Sequence, residues 1–98
     1  MPGWVLTETG SESPVVFRLA PGSIRTLGRT ARADFILDAA LVSRLHCRLT
    51  ADPSDQLIVE DLGSTNRTRV NGTRIERQIL KPGDRLTVGR VEFEVVRE

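Results

Sequence analysis

Very little in this chain is equipped for covalent or metal chemistry. Cys47 is the single cysteine and His46 the single histidine among 98 residues. One thiol cannot build a disulfide framework, so a reducing compartment suits the chain: the cytoplasm, or the nucleus if the source is eukaryotic. Two such side chains are too few ligands for a zinc site, and no metal site is expected. No glycine-rich nucleotide loop and no nucleophile elbow occur, so we expect neither catalysis nor a cofactor. Apolar runs fall well short of the ~20 residues that span a bilayer, so no membrane partner is expected. Met1-Pro2-Gly3-Trp4 has no basic region and no apolar run, and does not read as a signal peptide. An excess of one charge is also missing: the formal net charge is +1, which argues against a nucleic-acid binder. No aromatic platform accompanies the arginines either. Aromatic residues are Trp4, Phe17, Phe35 and Phe93, without a tyrosine. The core must therefore rest on Val, Leu and Ile, which fits a sheet better than a helix bundle.

What remains is one domain, residues 1–98, either free-standing or excised from a longer protein. Its cationic residues are lopsided. Lys81 is the lone lysine and every other base is arginine. Genome composition accounts for most such biases. Arginine also binds phosphate bidentately where lysine does not, so only position can decide between the two explanations.

Short apolar or alternating segments recur between turn signals. Trp4–Thr7, Val15–Leu19 and Ser23–Leu27 read as strands, the second and third close enough for a hairpin around Pro21-Gly22. Asp34–Asp38 reads as a fourth strand, and Ala39–Val42 leaves room for one helical turn. From His46 to Ala51, Cys47 and Leu49 share one face while His46, Arg48 and Thr50 share the other. Cys47 is then a small buried hydrophobe. Leu57–Glu60 follows. Thr68–Val70 and Thr73–Ile75 flank Asn71-Gly72, the strongest short hairpin signal, because both turn residues need positive φ. Arg85–Val88 and Val91–Val96 close the chain as a pair. Many short strands, frequent turns and no amphipathic helix predict an all-β fold, a two-sheet antiparallel β-sandwich.

Three clusters interrupt this pattern: Gly28-Arg29, Ser43-Arg44-Leu45-His46, and Asp61-Leu62-Gly63-Ser64-Thr65-Asn66. Three loops carried to one end of a sandwich would offer guanidinium, hydroxyl and amide groups together. Such groups suit a tetrahedral dianion and suit a flat apolar ligand poorly. An asparagine amide both donates and accepts, matching the paired groups of a peptide main chain.

This ordered set resembles the forkhead-associated domain, a phosphothreonine-binding β-sandwich. The resemblance covers nearly the whole chain: Gly28-Arg29, Asp34-Phe35-Ile36-Leu37, Ser43-Arg44-Leu45-His46, Asp61 to Asn66, Asn71-Gly72, Leu80-x-Pro82-Gly83-Asp84 and Val88-Gly89. It implies a signalling adaptor that binds a phosphothreonine-containing partner, a substrate of a serine/threonine kinase. It implies Arg29 and Ser43 on the phosphate, helped by Arg44 and by Thr65 or Ser64. Asn66 would hold the peptide main chain, and His46 would brace the loops without touching the ligand. Gly28 before Arg29 would let the backbone turn and aim the guanidinium. Asn71 and Gly72 would form the hairpin that presents the preceding loop. Arg67 stands where the family usually has glycine, and either strains a positive-φ position or marks a different loop. With Arg69 nearby, it points to acidic residues after the phosphothreonine. The competing reading is a phosphate-independent interaction or assembly domain on the same fold.

Overall fold

The computed structural model describes residues 3–98; the reading of Met1-Pro2 lies outside them. Eleven strands follow in order: β1 (Trp4–Glu8), β2 (Val16–Leu19), β3 (Ile24–Gly28), β4 (Phe35–Ile36), β5 (Cys47–Ala51), β6 (Leu57–Asp61), β7 (Thr68–Val70), β8 (Thr73–Ile75), β9 (Arg77–Leu80), β10 (Arg85–Val88) and β11 (Val91–Arg97). No helix occurs among the described residues. One sheet has the order β2-β1-β11-β10-β7-β8 and the other β4-β3-β5-β6-β9. The alternation in the sequence explains the layering. In β5, Cys47, Leu49 and Ala51 are buried while Arg48 and Thr50 face outward. Phe93, Leu6, Leu49, Leu86 and Val59 fill the space between the sheets. At ~1.5–3 kcal/mol per buried side chain of this size, this apolar layer dominates the favourable side of folding.

The two sheets are joined along both sides. On one side, the Phe17 ring of β2 stacks on the Phe35 ring of β4 at 4.6 Å between centroids. On the other, the chain passes from β8 to β9, and so from one sheet to the other, with only Glu76 between. At one end of the sandwich β1 and β11 meet at their outer ends, where Glu98 N donates to Gly3 O at 2.9 Å. Arg97 lies over the Trp4 ring there, 4.9 Å from its centroid.

Four details differ from the sequence reading. β2 and β3 form no hairpin: β2 pairs with β1, while β3 crosses to the other sheet and pairs with β5. A Pro-Gly turn marks a reversal without saying which sheet the next strand joins. β4 runs parallel to β3, so that sheet is mixed, and β4 is only two residues long. Leu37 N completes the short ladder by donating to Gly28 O at 2.7 Å, and the Leu37 side chain is buried. Ala39–Val42 is a β-turn closed by Val42 N donating to Ala39 O at 3.3 Å, with Leu41 at φ 71, and not a helical turn. β9 was not foreseen, since Arg77-Gln78 masks an edge strand that shows one buried side chain, Leu80.

Gly28 is required for a reason other than turning. Its φ is not positive. A Cβ there would lie 2.0 Å from Arg44 O, so two backbones cross where only hydrogen fits. Because the obstacle is backbone, Gly28→Ala should cost at least the ~1–3 kcal/mol of ordinary overpacking. Thermal melting of the variant checks this.

Candidate functional site

Three loops leave the same end of the sandwich: residues 29–34 after β3, 37–46 before β5, and 62–67 after β6. Between them lies an open groove of about 730 Å³, lined by Arg29, Leu41, Ser43, Arg44, Thr65 and Asn66 among others. No carboxylate among the described residues lines it.

His46 holds this end together. It is fully buried at the entry to β5. Its Nδ1 accepts from Ser43 N at 3.0 Å, and its Nε2–H donates to Arg67 O at 2.8 Å. The ring therefore carries its proton on Nε2 and ties two of the three loops by their backbones. It lies beneath the groove and does not line it.

Asp61 organises the third loop in the same way. Oδ1 accepts from the hydroxyls of Ser64 and Thr68, and Oδ2 from Gly63 N at 3.0 Å and Ser64 N at 3.1 Å. Burial alone would push this carboxyl up. The Ser64 and Thr68 hydroxyls, with the two amides, outweigh it and hold the group below the usual carboxylate value.

These scaffolds determine which groups remain available. Arg29 N donates to Ser43 O at 2.9 Å and Arg29 Nε to Val42 O at 3.0 Å. The guanidinium is aimed by its inner nitrogen, while its terminal nitrogens make no hydrogen bond to a described residue. Ser43 Oγ accepts from Thr65 N at 3.0 Å, which leaves its own O–H free to donate. Thr65 and Arg44 are exposed. Asn66 Nδ2 donates to Leu41 O at 3.1 Å, leaving its carbonyl oxygen for another donor. Aimed cation, outward hydroxyl and half-used amide can together hold a tetrahedral anion attached to a peptide chain.

Arg29, Ser43, Arg44, Thr65 and Asn66 thus come together at one groove. Ser64 does not join them: it is 1% exposed and its hydroxyl is committed to Asp61. Arg67 takes φ 67 and turns its Nη1 back onto Ser64 O, so it braces the loop. Arg69 projects from β7 beside Asn66 O and is not part of the groove wall. Asn71 and Gly72 form the expected turn at φ 52 and 83, but at the far end of β7. There Asn71 braces the 81–84 turn through Asp84 and Arg85, and does not present the groove loop. Sequence reasoning missed Asp61 as an organiser, although Asp-x-Gly-Ser is the spacing of an Asx turn. It also missed Leu41, whose carbonyl fixes Asn66; a leucine at positive φ gives no warning.

The FHA domain family profile matches residues 25–89. The chain belongs to the FHA domain family. That family is a non-catalytic binding module. The chain is 36% identical over 75 residues to the ABC transporter ATP-binding/permease protein Rv1747 of Mycobacterium tuberculosis, covering 76% of this chain and 8% of that protein. It likewise spans less than half the length of other curated relatives it matches. Among solved structures, the FHA domain of CT664 from Chlamydia trachomatis superposes with a TM-score of 0.89 at 26% identity, over 96% of each chain. A second, concerned with phosphothreonine-dependent FHA domain interactions, gives 0.86 at 30% identity over 96% of this chain and 95% of that one. The FHA sandwich therefore extends over nearly all of the described residues. No helix among them is long and apolar enough to cross a membrane.

Two predictions follow from the braces. His46→Ala removes a buried ring and two backbone contacts, and should cost ~2–4 kcal/mol in a denaturant melt. Ligand affinity should weaken as a consequence of the looser loops. Asp61→Asn should cost ~1–3 kcal/mol at pH 7, because an amide cannot accept all four bonds. The Asp61 bonds stabilise the fold above the unfolded carboxyl value of ~4 and lose their effect as pH falls below it. Melts from pH 7 to 3 should therefore show a shallower loss for Asp61→Asn than for wild type.

Proposed function

We infer that this chain is a phosphothreonine-binding module that joins a phosphorylated protein to whatever carries the domain. One observation carries the reading. Arg29 presents free terminal nitrogens, and Ser43 presents a hydroxyl whose acceptor side is already occupied, in the same groove. Phosphate on threonine brings close to two negative charges and three acceptor oxygens. Arg29 and Ser43 hold it, with Arg44 and Thr65 at the rim. Asn66 offers its carbonyl oxygen to a ligand main-chain N–H, which selects an extended segment. The phosphothreonine-dependent interactions of a similar FHA domain support this assignment. The chain acts by binding alone, as one domain, and its partners are substrates of a serine/threonine kinase in a reducing compartment.

The phosphate-independent reading drew on Arg67 in place of glycine. Arg67 adopts φ 67, the conformation a glycine takes freely, so the loop keeps its path. The side chain then reinforces the loop through Ser64 O. The substitution gives no reason for the phosphate groups to be abandoned.

The test is calorimetric titration of one peptide carrying threonine, phosphothreonine, phosphoserine or glutamate. Phosphothreonine should bind at least ~100-fold more tightly than threonine, given ~1.5–3 kcal/mol per charge-assisted bond. Glutamate, with one charge and flat geometry, should bind little better than threonine. Arg29→Ala should remove most of the phosphate preference while leaving the melting temperature near wild type. Equal binding of the unmodified peptide would establish the phosphate-independent mode instead.

A further inference from the structure

The outward face of the β4-β3-β5-β6-β9 sheet is ordered in rows. Strand register sets Ile24, Thr50, Ile58 and Ile79 side by side across β3, β5, β6 and β9. Ile24 is 56% exposed and Ile79 43%, while Ile58 between them is 9% exposed. Ile58 alternates with Leu57 and Val59, which fill the core, so its cover comes from neighbours on the outer face. The next row towards the groove is polar: Thr26, Arg48, Glu60 and Arg77. Arg48 pairs with Glu60 at 3.1 Å. Thr26 holds Asp34 Oδ2 through its amide at 2.9 Å and its hydroxyl at 3.2 Å. Neither Asp34 nor Arg77 forms an ion pair with a described residue. From the β3 side to the β9 side the charges therefore alternate: Asp34, Arg48, Glu60, Arg77.

Both rows are complementary to themselves when reversed. Consider a second copy turned about a twofold axis that runs parallel to the strands, between β5 and β6. Each row then meets the same row in the opposite order. Ile24 lies over Ile79 of the second copy, and Thr50 over its Ile58. In the polar row Arg48 lies over Glu60 of the second copy. Arg77 lies over Thr26, and so beside the Asp34 that Thr26 holds. The axis makes every one of these contacts twice. Stacked the other way up, Glu60 would meet Gln56 and Arg77 would meet Lys81, so charge selects the first arrangement. Face-to-face sheets pack with their strands within about 30° of one another, which this arrangement satisfies.

We propose that this sheet face is an interface with a second copy of the chain. The isoleucine row supplies the attraction, and the alternating charges fix the orientation. Because the axis runs along the strands, both grooves open at the same pole of the dimer. On the phosphothreonine reading above, the dimer is a bivalent module, and the ligand it favours presents two phosphothreonines together. Holding the first raises the effective concentration of the second, so avidity grows without a new contact in either groove. The interface itself does not depend on that reading.

The experiment is sedimentation of the chain from ~10 μM to ~1 mM, the span of a small, transient interface. Wild type should pass from monomer towards dimer across that series. Ile79→Lys should melt like wild type, because the side chain is exposed, and should weaken association by at least ~10-fold. Arg48→Glu and Glu60→Arg each set like charges against one another and should be monomeric alone. Mixed in equal amounts they should form a heterodimer, since each copy then offers the other the opposite sign. A peptide with one phosphothreonine should bind wild type and Ile79→Lys equally. A peptide with two, joined by a flexible linker, should prefer dimeric wild type by at least ~10-fold. A wild type that stays monomeric at ~1 mM, or a dimer that Ile79→Lys leaves intact, overturns the interface. Charge variants that stay apart when mixed overturn the orientation, and a dimer indifferent to the second phosphothreonine overturns the shared pole. Phosphorylated and unphosphorylated peptides that bind the dimer equally overturn the phosphate reading and leave the interface standing.

Discussion

One buried imidazole makes the groove possible. The loop before β5 and the loop after β6 come from different parts of the chain, and neither has a core of its own. His46 accepts from the first and donates to the second, both through backbone groups. Because the contacts are to the main chain, they fix where the loops run whatever side chains the loops carry. That separation matters for function. Ser43 can keep its hydroxyl outward because its backbone amide, and not its side chain, is used in the brace.

The same division of labour recurs across the site. The side chains of Arg29, Ser43 and Asn66 are half committed. Arg29 spends its inner nitrogen on Val42 O, Ser43 its acceptor lone pair on Thr65 N, and Asn66 one amide hydrogen on Leu41 O. Each keeps its other end for a ligand. Ordering these side chains before binding reduces the rotamer entropy lost when the ligand arrives, and so raises affinity without adding contacts. Residues that have no such remainder, such as Ser64 and Thr68, are buried beneath Asp61 and serve the loop.

Much of this was legible in the residues themselves. Alternation in Cys47–Ala51 and Val91–Val96 gave the sheet faces, and Asn71-Gly72 gave its turn, because both signals are local. The ordered clusters around Arg29, Ser43 and Asn66 marked the groove. What was hidden depends on contacts between distant segments. Gly28 looked like a turn residue, but its role is to let its backbone cross that of Arg44. Pro21-Gly22 looked like a hairpin, but the chain leaves for the opposite sheet. Ser64 and Thr65 are adjacent and chemically alike, yet one is enclosed by Asp61 while the other stays exposed. Pattern alone does not separate such neighbours.

The pairing of β1 with β11 has a mechanical side. Their outer ends, at Gly3 and Glu98, lie together at the pole away from the groove. Tension applied between those ends would load the ladder one rung at a time, as a zipper is opened, instead of shearing all its hydrogen bonds at once. The sandwich is thus weakest under pull at the pole where both strands emerge. The ligand-holding loops, at the opposite pole, are the last part that such a pull would reach.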